Sequence, residues 1–591
     1  MIIPETLEAK ERKIKYIADT CLDSQQERLN AYIYRRAYFL FGSSDDRASR
    51  VLYNRLQSHT DLVASFLFSA DHAEYELSAP RNSEEVIAEQ CAAAQEDWND
   101  EFRDCGLAQM VADCILWSLI YDSMFIKVGW NDNRDLFTSV MVPPYNFGVY
   151  DESETELDNQ HAFCHVFTVD YDEACQRLIQ ADLGHRIPEL RAAADSEKPT
   201  LPAPLSLMIS NAQRQHVTDP VVGKVTPDYL RSFRYQSEHD TTRVRFKEVW
   251  VWDDEALDEE NEPCGDYRQF IMMEPDIILT DSKESIALRK KAGMKSSKFR
   301  LEKDVRRWSD VNDFIPGHHP FTHIRPFGIF DYFFGECHTE RLIPLQDWLT
   351  TRLSEIHEIL DMQVDPPRSF AGFLGLTDEK AEAFRGPGSW VTDQNPGAKV
   401  ENHIPEMPPD LFREIQEMQH LFLEASGLTE TLTGHGSEHI KSGQHAKKAV
   451  TTGSSRIRKT AVGLEPALVA LGDTAMRLRQ AKEKKELITD SGMRFTLSQI
   501  ATSSWKMRIS GHSHSPLFAD EGREMAVLLL KSQAIDREQF LRMLHPPRTD
   551  MLVRRLRRRV QQEQQQMQQH PELMQGKGGK GRGGRPMLAT G

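Results

Sequence analysis

Two amphipathic helical patterns that flank a short insert constrain the fold of this chain more than any other feature. In the first, between Glu340 and Gln363, apolar residues are spaced by 3, 4, 4, 3 and 4 positions. These residues are Leu342, Leu345, Leu349, Leu353, Ile356 and Leu360. Such spacing places one apolar stripe on a helix about 36 Å long. Pro344 falls in the first turn, where a missing N–H is tolerated.

The second pattern begins after Pro408 and Pro409 and carries Leu411, Ile415, Met418 and Phe422 at helical spacing. Between the two patterns lie short strand and turn signals that cannot fold without neighbours. The sequence therefore predicts a helical hairpin whose tip is a small β-rich insert.

Elsewhere the chain alternates between helical and strand patterns. Residues up to about 130 are mostly helical in pattern, and apolar residues then alternate in RVRFKEVWVW, which begins at Arg243. Further strands are predicted at Met124–Trp130, Leu136–Val142, Ala162–Val169, Tyr267–Met273 and Ile277–Thr280. The predicted fold class is α+β and predominantly helical.

Composition limits the classes of function. The 591 residues are 39% hydrophobic and 27% charged, as in ordinary globular proteins, with a net charge of −18. A protein whose main task is to bind nucleic acid through its phosphates is expected to be basic, so this class of protein is disfavoured. Residues 551–591 differ, because nine Lys and Arg against two Glu give +7 and leave −25 for residues 1–550. This tail either attracts DNA weakly or serves solubility.

Motifs for catalysis and metal binding are weak or missing in the sequence. No GxxxxGK[ST] or GxSxG pattern is present, and the sequence after His357 and Glu358 places Asp361 where a zinc-binding helix needs a second histidine. The eight cysteines are far apart, which is typical of reduced, buried thiols. We therefore predict no catalytic residue, no metal site, no cofactor and no membrane association.

The order of these segments resembles that of the portal (head–tail connector) proteins of tailed bacteriophages, over roughly residues 20–545. The segments that carry the resemblance are NRLQSHTDLVASFLF, DCILWSLIYDSMFIKVGW followed by VPPYNFGVY, HPFTHIRPFGIFDYFFGECHTERLIPLQDWLTTRLSEI, and LFREIQEMQHLFLEASGL. The resemblance lies in the order of elements, and it implies a subunit with wing, stem, clip and crown regions that assembles into a ring.

The resemblance divides the chain into eight regions. They are an α+β wing (1–337), a first stem helix (338–365), a clip (366–408), a second stem helix (409–426), a tunnel loop (427–443), a long helix with a return to the wing (444–515), a crown (516–559) and a flexible basic Gln/Gly-rich tail (560–591).

The implied function is a structural ring, typically dodecameric, at one capsid vertex, through which double-stranded viral DNA is packaged and ejected. Implied partners are the terminase large subunit, head–tail adaptor or tail proteins, and the major capsid and scaffolding proteins. The protein would lie in the virion, and in the host cytoplasm during assembly. Candidate DNA contacts in and after the tunnel loop are His435, His439, Lys441, Lys447 and Lys448.

Several alternatives stay open at this point. The clip aromatics Phe373 and Trp390 are either interface anchors or core residues. The segment Gly427–Gly443 is either a loop that projects into the channel or an ordinary surface connection. For the whole chain, the competing functions are a metal-dependent phage nuclease or hydrolase and another head–tail structural protein.

Overall fold

The computed structural model describes residues 3–42, 53–80, 85–131, 136–180, 183–196, 243–254, 266–273, 276–282, 319–373, 395–428, 454–500, 505–509 and 519–544, together with 432, 515, 555 and 556. Within these ranges residues 5, 72, 365, 396 and 490 are excepted. Helices make up 54% of the described residues and occur with several antiparallel sheets. The predicted mixture of helices and strands with a helical majority is confirmed.

The α-helices form where apolar residues recur at helical spacing. They are α1 (Leu7–Cys21), α2 (Gln25–Phe41), α3 (Arg55–Leu67), α4 (Glu85–Asp104), α5 (Leu107–Tyr121), α6 (Tyr171–Gln180), α7 (Ile187–Ser196), α8 (Ile343–Val364), α9 (Asp410–Ser426), α10 (Ser455–Lys482), α11 (Ala519–Lys531) and α12 (Arg537–Leu544). The helix predicted between Glu340 and Gln363 corresponds to α8, and a 3₁₀ turn at Thr339–Arg341 precedes it.

The strands are β1 (Glu76–Ser78), β2 (Met124–Asn131), β3 (Leu136–Val142), β4 (Phe147–Val149), β5 (Ala162–Asp170), β6 (Arg243–Asp253), β7 (Asp266–Met273), β8 (Ile277–Asp281), β9 (Phe321–Ile324), β10 (Arg368–Ala371), β11 (Lys399–Asn402), β12 (Glu486–Ile488), β13 (Arg494–Thr496) and β14 (Lys506–Arg508). Strands β2, β3 and β5 to β8 form where the sequence predicts them, and several short strands form where none was predicted. Strands β4 to β8 form one five-stranded sheet in sequence order, and β3-β2-β9 form a three-stranded sheet.

The five-stranded sheet is covered on both faces, which explains why its strands contain so many apolar residues. On one face, residues of α1 that include Ile14 and Ile17 pack against Val249 and Phe270. On the other face, Trp250 and its neighbours pack with aromatic residues of β2 and β9. Burial of each such side chain contributes about 1.5–3 kcal/mol, so this double layer is the main core of the chain.

Helices α8 and α9, with β10 and β11 between them, form a hairpin whose burial falls steadily along its length. Leu342, just before α8, is 0% exposed and Leu349 on α8 is 1% exposed, whereas Leu360 and Val364 on α8 are 46% and 87% exposed. The far end of α9 is likewise exposed at Phe412. The hairpin therefore has a buried root and a far end that extends away from the core.

The β-rich insert is present in part at the far end of the hairpin. Strands β10 and β11 pair antiparallel, with Arg368 opposite Asn402 and Ala371 opposite Lys399. Residues 374–394 of the insert lie outside the described residues. The antiparallel pair supports the predicted β-rich tip.

The chain forms two compact units, Met1–Ser515 and Pro516–Gly591. In the second unit, α11 and α12 pack against each other. In the first unit, α10 packs closely against Tyr75 at Gly472, where an added Cβ would lie 2.6 Å from the Tyr75 ring. Among the described cysteines no disulfide forms, and most of the thiols are buried.

Candidate functional site

The far end of the hairpin exposes large apolar side chains that the described part of the chain leaves uncovered. They are Leu360, Met362 and Val364 on α8, Val400 and Ile404 in and after β11, and Phe412 on α9. A set of this kind is typical of a surface that another molecule covers, because leaving it in water forgoes the free energy of burial. This end of the hairpin is the candidate assembly surface.

The two helices of the hairpin are held side by side by polar contacts as well as by packing. Arg352 Nε on α8 donates to Glu414 Oε1 on α9 over 3.0 Å. Nearer the tip, Gln363 Nε2 donates to the Pro405 carbonyl over 3.1 Å. Partly exposed contacts of this kind stabilise little, but they fix how the two helices are aligned.

At the root, Gln346 joins α8 to the start of α3. Its fully buried side chain accepts hydrogen bonds through Oε1 from the backbone N–H groups of Arg55 and Leu56, at 3.0 and 3.2 Å. Its Nε2 donates to the Tyr53 carbonyl and to Thr350 Oγ1, both at 3.0 Å. The first N–H groups of a helix have no partner within the helix, so Gln346 satisfies two of them and ties the hairpin to the body.

A second root contact is made by Arg35, which bridges the body and the turn that precedes α8. Its Nη1 lies 3.0 Å from Asp122 Oδ2, and its Nη2 lies 2.7 Å from Glu340 Oε2. Tyr32 also donates to Asp122, over 3.3 Å. Asp122 has a φ of 98°, a backbone conformation that costs free energy for a residue with a Cβ. The surrounding contacts hold it there.

Burial raises the pKa of Asp122 to about 7, although Arg35 and the hydrogen bonds to the carboxylate oppose the rise. Between pH 3.8 and about 7, the Asp122 carboxyl is therefore protonated in the folded state and ionised in the unfolded state. Because the folded state binds more protons between these values, stability falls as the pH rises from about 4 to about 7.

We expect Asp122→Asn to remove this pH dependence of the stability. The unfolding free energy of the wild type, relative to the variant, should fall by up to about 4 kcal/mol between pH 4 and pH 8. Urea unfolding of both proteins across that range measures the difference. A difference that does not change with pH would show that Asp122 is ionised in the folded protein throughout.

Most of the predicted contact residues fall outside the described residues. His435, His439, Lys441, Lys447, Lys448 and Trp390 all lie there. Phe373 is described and half-buried, and its ring meets that of Phe370 edge to face at 5.5 Å. This contact within the insert is compatible with either predicted role of Phe373.

The described residues show no group of three His, Cys, Asp or Glu side chains that could hold a metal ion. His357 and Asp361 lie one turn apart on α8, and their side chains are about half-exposed. Nor does any helix in the described ranges have the length and hydropathy to cross a membrane.

Sequence reasoning missed the root contacts of the hairpin. Asp122 interrupts the most apolar window of the chain, Ile115–Trp130, and so does Lys127. A charged residue inside such a window signals a buried charge that needs a partner. The partner itself could not be predicted, because Arg35 and Glu340 lie far away along the chain.

No protein-family model and no curated protein matches the chain. What the protein does is therefore inferred from the hairpin, the distribution of charge and the order of the segments.

Proposed function

We propose that this protein is a portal-type subunit of a tailed bacteriophage, which assembles into a ring at one vertex of the capsid. The observation that carries the proposal is the hairpin, with its buried root and its exposed apolar far end. Side-by-side packing of identical hairpins around an axis would cover the apolar side chains of each copy. The sequence resemblance suggests a dodecamer.

The charge of the chain suits a conduit for double-stranded DNA. Residues 1–550 carry a net charge of −25, which is repeated in every copy of a ring. A wall of this sign repels phosphates weakly, so that DNA slides and does not adhere. Basic residues of the proposed tunnel loop and of the long helix that follows, such as Lys441 and Lys447, would then make brief contacts with the passing duplex.

The tip of the hairpin is the proposed docking point for other virion machinery. By resemblance, it would bind the terminase large subunit during packaging and a head–tail adaptor or tail protein afterwards. The ring would meet the major capsid and scaffolding proteins during assembly in the host cytoplasm, and it would stay at the portal vertex of the virion.

The proposal is tested by the mass of the purified protein together with its action on DNA. Light scattering should give a multiple of 67.8 kDa that persists on dilution. Linear double-stranded DNA incubated with the protein and Mg²⁺ or Mn²⁺ should stay intact. A monomer that cleaves DNA would favour the metal-dependent nuclease.

A further inference from the structure

Helix α3 contacts both helices of the hairpin through buried polar groups. At the start of α3, Gln346 on α8 accepts from the backbone N–H groups of Arg55 and Leu56. One turn later, His59 Nδ1 lies 3.2 Å from Ser426 Oγ on α9, and both residues are buried. The two contacts are about 5 Å apart along α3. One contact alone would act as a pivot, whereas two contacts to different helices fix the direction of the hairpin.

The contact between His59 and Ser426 needs no buried charge. The Ser426 hydroxyl donates to the Leu423 carbonyl over 3.0 Å, so its oxygen accepts from His59 Nδ1–H. Burial and the nearby charge of Arg55 lower the pKa of His59 to about 4, so the imidazole is neutral at neutral pH. The tautomer with its proton on Nδ1 is therefore the one that joins α3 to α9.

Asn54, the residue before α3, attaches the start of this helix to α2. Its Nδ2 donates to the Phe39 carbonyl over 2.7 Å, and its Oδ1 accepts from the Gln57 N–H over 3.0 Å. A side-chain acceptor at this position satisfies one of the N–H groups that the helix itself leaves unpaired. The first turn of α3 is thus capped on one side by a residue that belongs to the body.

The other side of the cap comes from the hairpin. The Arg55 N–H also lies 3.0 Å from the Tyr53 carbonyl, but in the described part of the chain the Leu56 N–H bonds only to Gln346. Leu56 is fully buried, so loss of Gln346 would leave a buried donor without a partner, which costs about as much as a lost hydrogen bond. The cap of α3 is complete only while α8 stays in its place.

We propose that the direction of the hairpin and the first turn of α3 are conformationally coupled through Gln346. Tilting the hairpin withdraws Gln346 and frays the turn, and fraying the turn removes one of the two contacts that fix the hairpin. Such a coupling is a free-energy difference between joint states and therefore acts equally in both directions. A molecule that binds and tilts the far end of the hairpin would in this way alter the body. The coupling lies within one chain, so it stands whether or not the protein forms a ring.

Hydrogen exchange of the full-length chain, resolved to single amides by mass spectrometry, tests the coupling from the hairpin side. Gln346→Met keeps the approximate size of the side chain and removes every hydrogen-bonding atom that α3 uses. Exchange at Leu56 should become at least about ten-fold faster, while exchange at Gln57, which Asn54 caps, should change less. Exchange at Leu56 that stays as slow as in the wild type would overturn the inference.

The matched control is Gln363→Met, at an exposed glutamine near the other end of α8 that donates to the Pro405 carbonyl. It should leave exchange in α3 unchanged. If exchange at Leu56 is equally fast in this control, any disturbance of the hairpin loosens α3, and Gln346 is not the link.

Asn54→Ala tests the same coupling from the body and does not depend on whether Gln346→Met folds. Spin labels on noncanonical residues that replace the exposed Asn30 on α2 and Glu358 on α8 report the direction of the hairpin, with labelled chains diluted in unlabelled protein. The distance distribution should broaden in Asn54→Ala and stay as in the wild type in Ser58→Ala, which changes an exposed side chain of the same turn. A distribution of wild-type width in both variants would refute the coupling.

Discussion

Replacing Lys127 by methionine should lower the free energy of unfolding of the main unit by about 3–5 kcal/mol. Lys127 Nζ lies 2.6 Å from Glu248 Oε2, and the two side chains are 2% and 0% exposed. Burial alone would raise the pKa of Glu248, but the attraction of Lys127 and the hydrogen bond from His165 hold it at about 2. The substitution would leave a carboxylate buried without its cation, which costs far more than the pair contributes.

A double variant distinguishes this explanation from simple loss of packing. Lys127→Met combined with Glu248→Gln removes both charges. The one amide oxygen can accept from Trp250 Nε1, which now lies 3.0 Å from Glu248 Oε1, and the amide N–H can donate to a neutral His165 Nδ1, which now lies 3.0 Å from Oε2. The double variant should recover most of the lost stability in urea unfolding followed by tryptophan fluorescence. If Lys127→Met alone stays within about 1 kcal/mol of the wild type, Glu248 is not left as an unpaired buried carboxylate, and this explanation is wrong.

Aspartate at the exposed end of α8 should abolish ring assembly without unfolding the subunit. Leu360 and Val364 are 46% and 87% exposed, so the double variant Leu360→Asp with Val364→Asp disturbs little within one chain. In a ring the new carboxylates would be buried between neighbouring hairpins, where an unpaired charge is strongly unfavourable. Light scattering should report subunits, and circular dichroism should be unchanged.

The matched control is Ile179→Asp, which makes the same kind of change at an exposed apolar residue of α6. It should leave assembly as in the wild type. Rings formed equally well by the double α8 variant would mean that the far end of the hairpin faces solvent in the assembly.

Elements with strong local periodicity could be predicted from the sequence. The apolar stripe predicted between Glu340 and Gln363 is buried at Leu349 and Ile356 on α8 and at Leu342 just before it. The same stripe includes Leu360, which is half-exposed, because spacing shows which face of a helix is apolar and not whether a neighbour covers it. The periodicity of one chain does not show which of its apolar residues a second molecule covers.

The candidate site was harder to predict because it depends on contacts between distant residues. Arg35 and Glu340 are 305 positions apart, and only the fold brings them together. Burial within one run of aromatic residues was equally hidden, because Phe330 is 96% exposed whereas Phe333 and Phe334 are fully buried. Its exposure follows from the tight turn, in which Asp331 takes a φ of 59°.

Negative-stain electron microscopy of the purified full-length protein tests the proposed ring most directly. We expect uniform rings with a central hole wide enough for a DNA duplex, seen end-on, and side views with a narrower projection formed by the hairpins. Fields that contain only single particles of the 67.8 kDa chain, at every concentration and ionic strength, would contradict the proposed function.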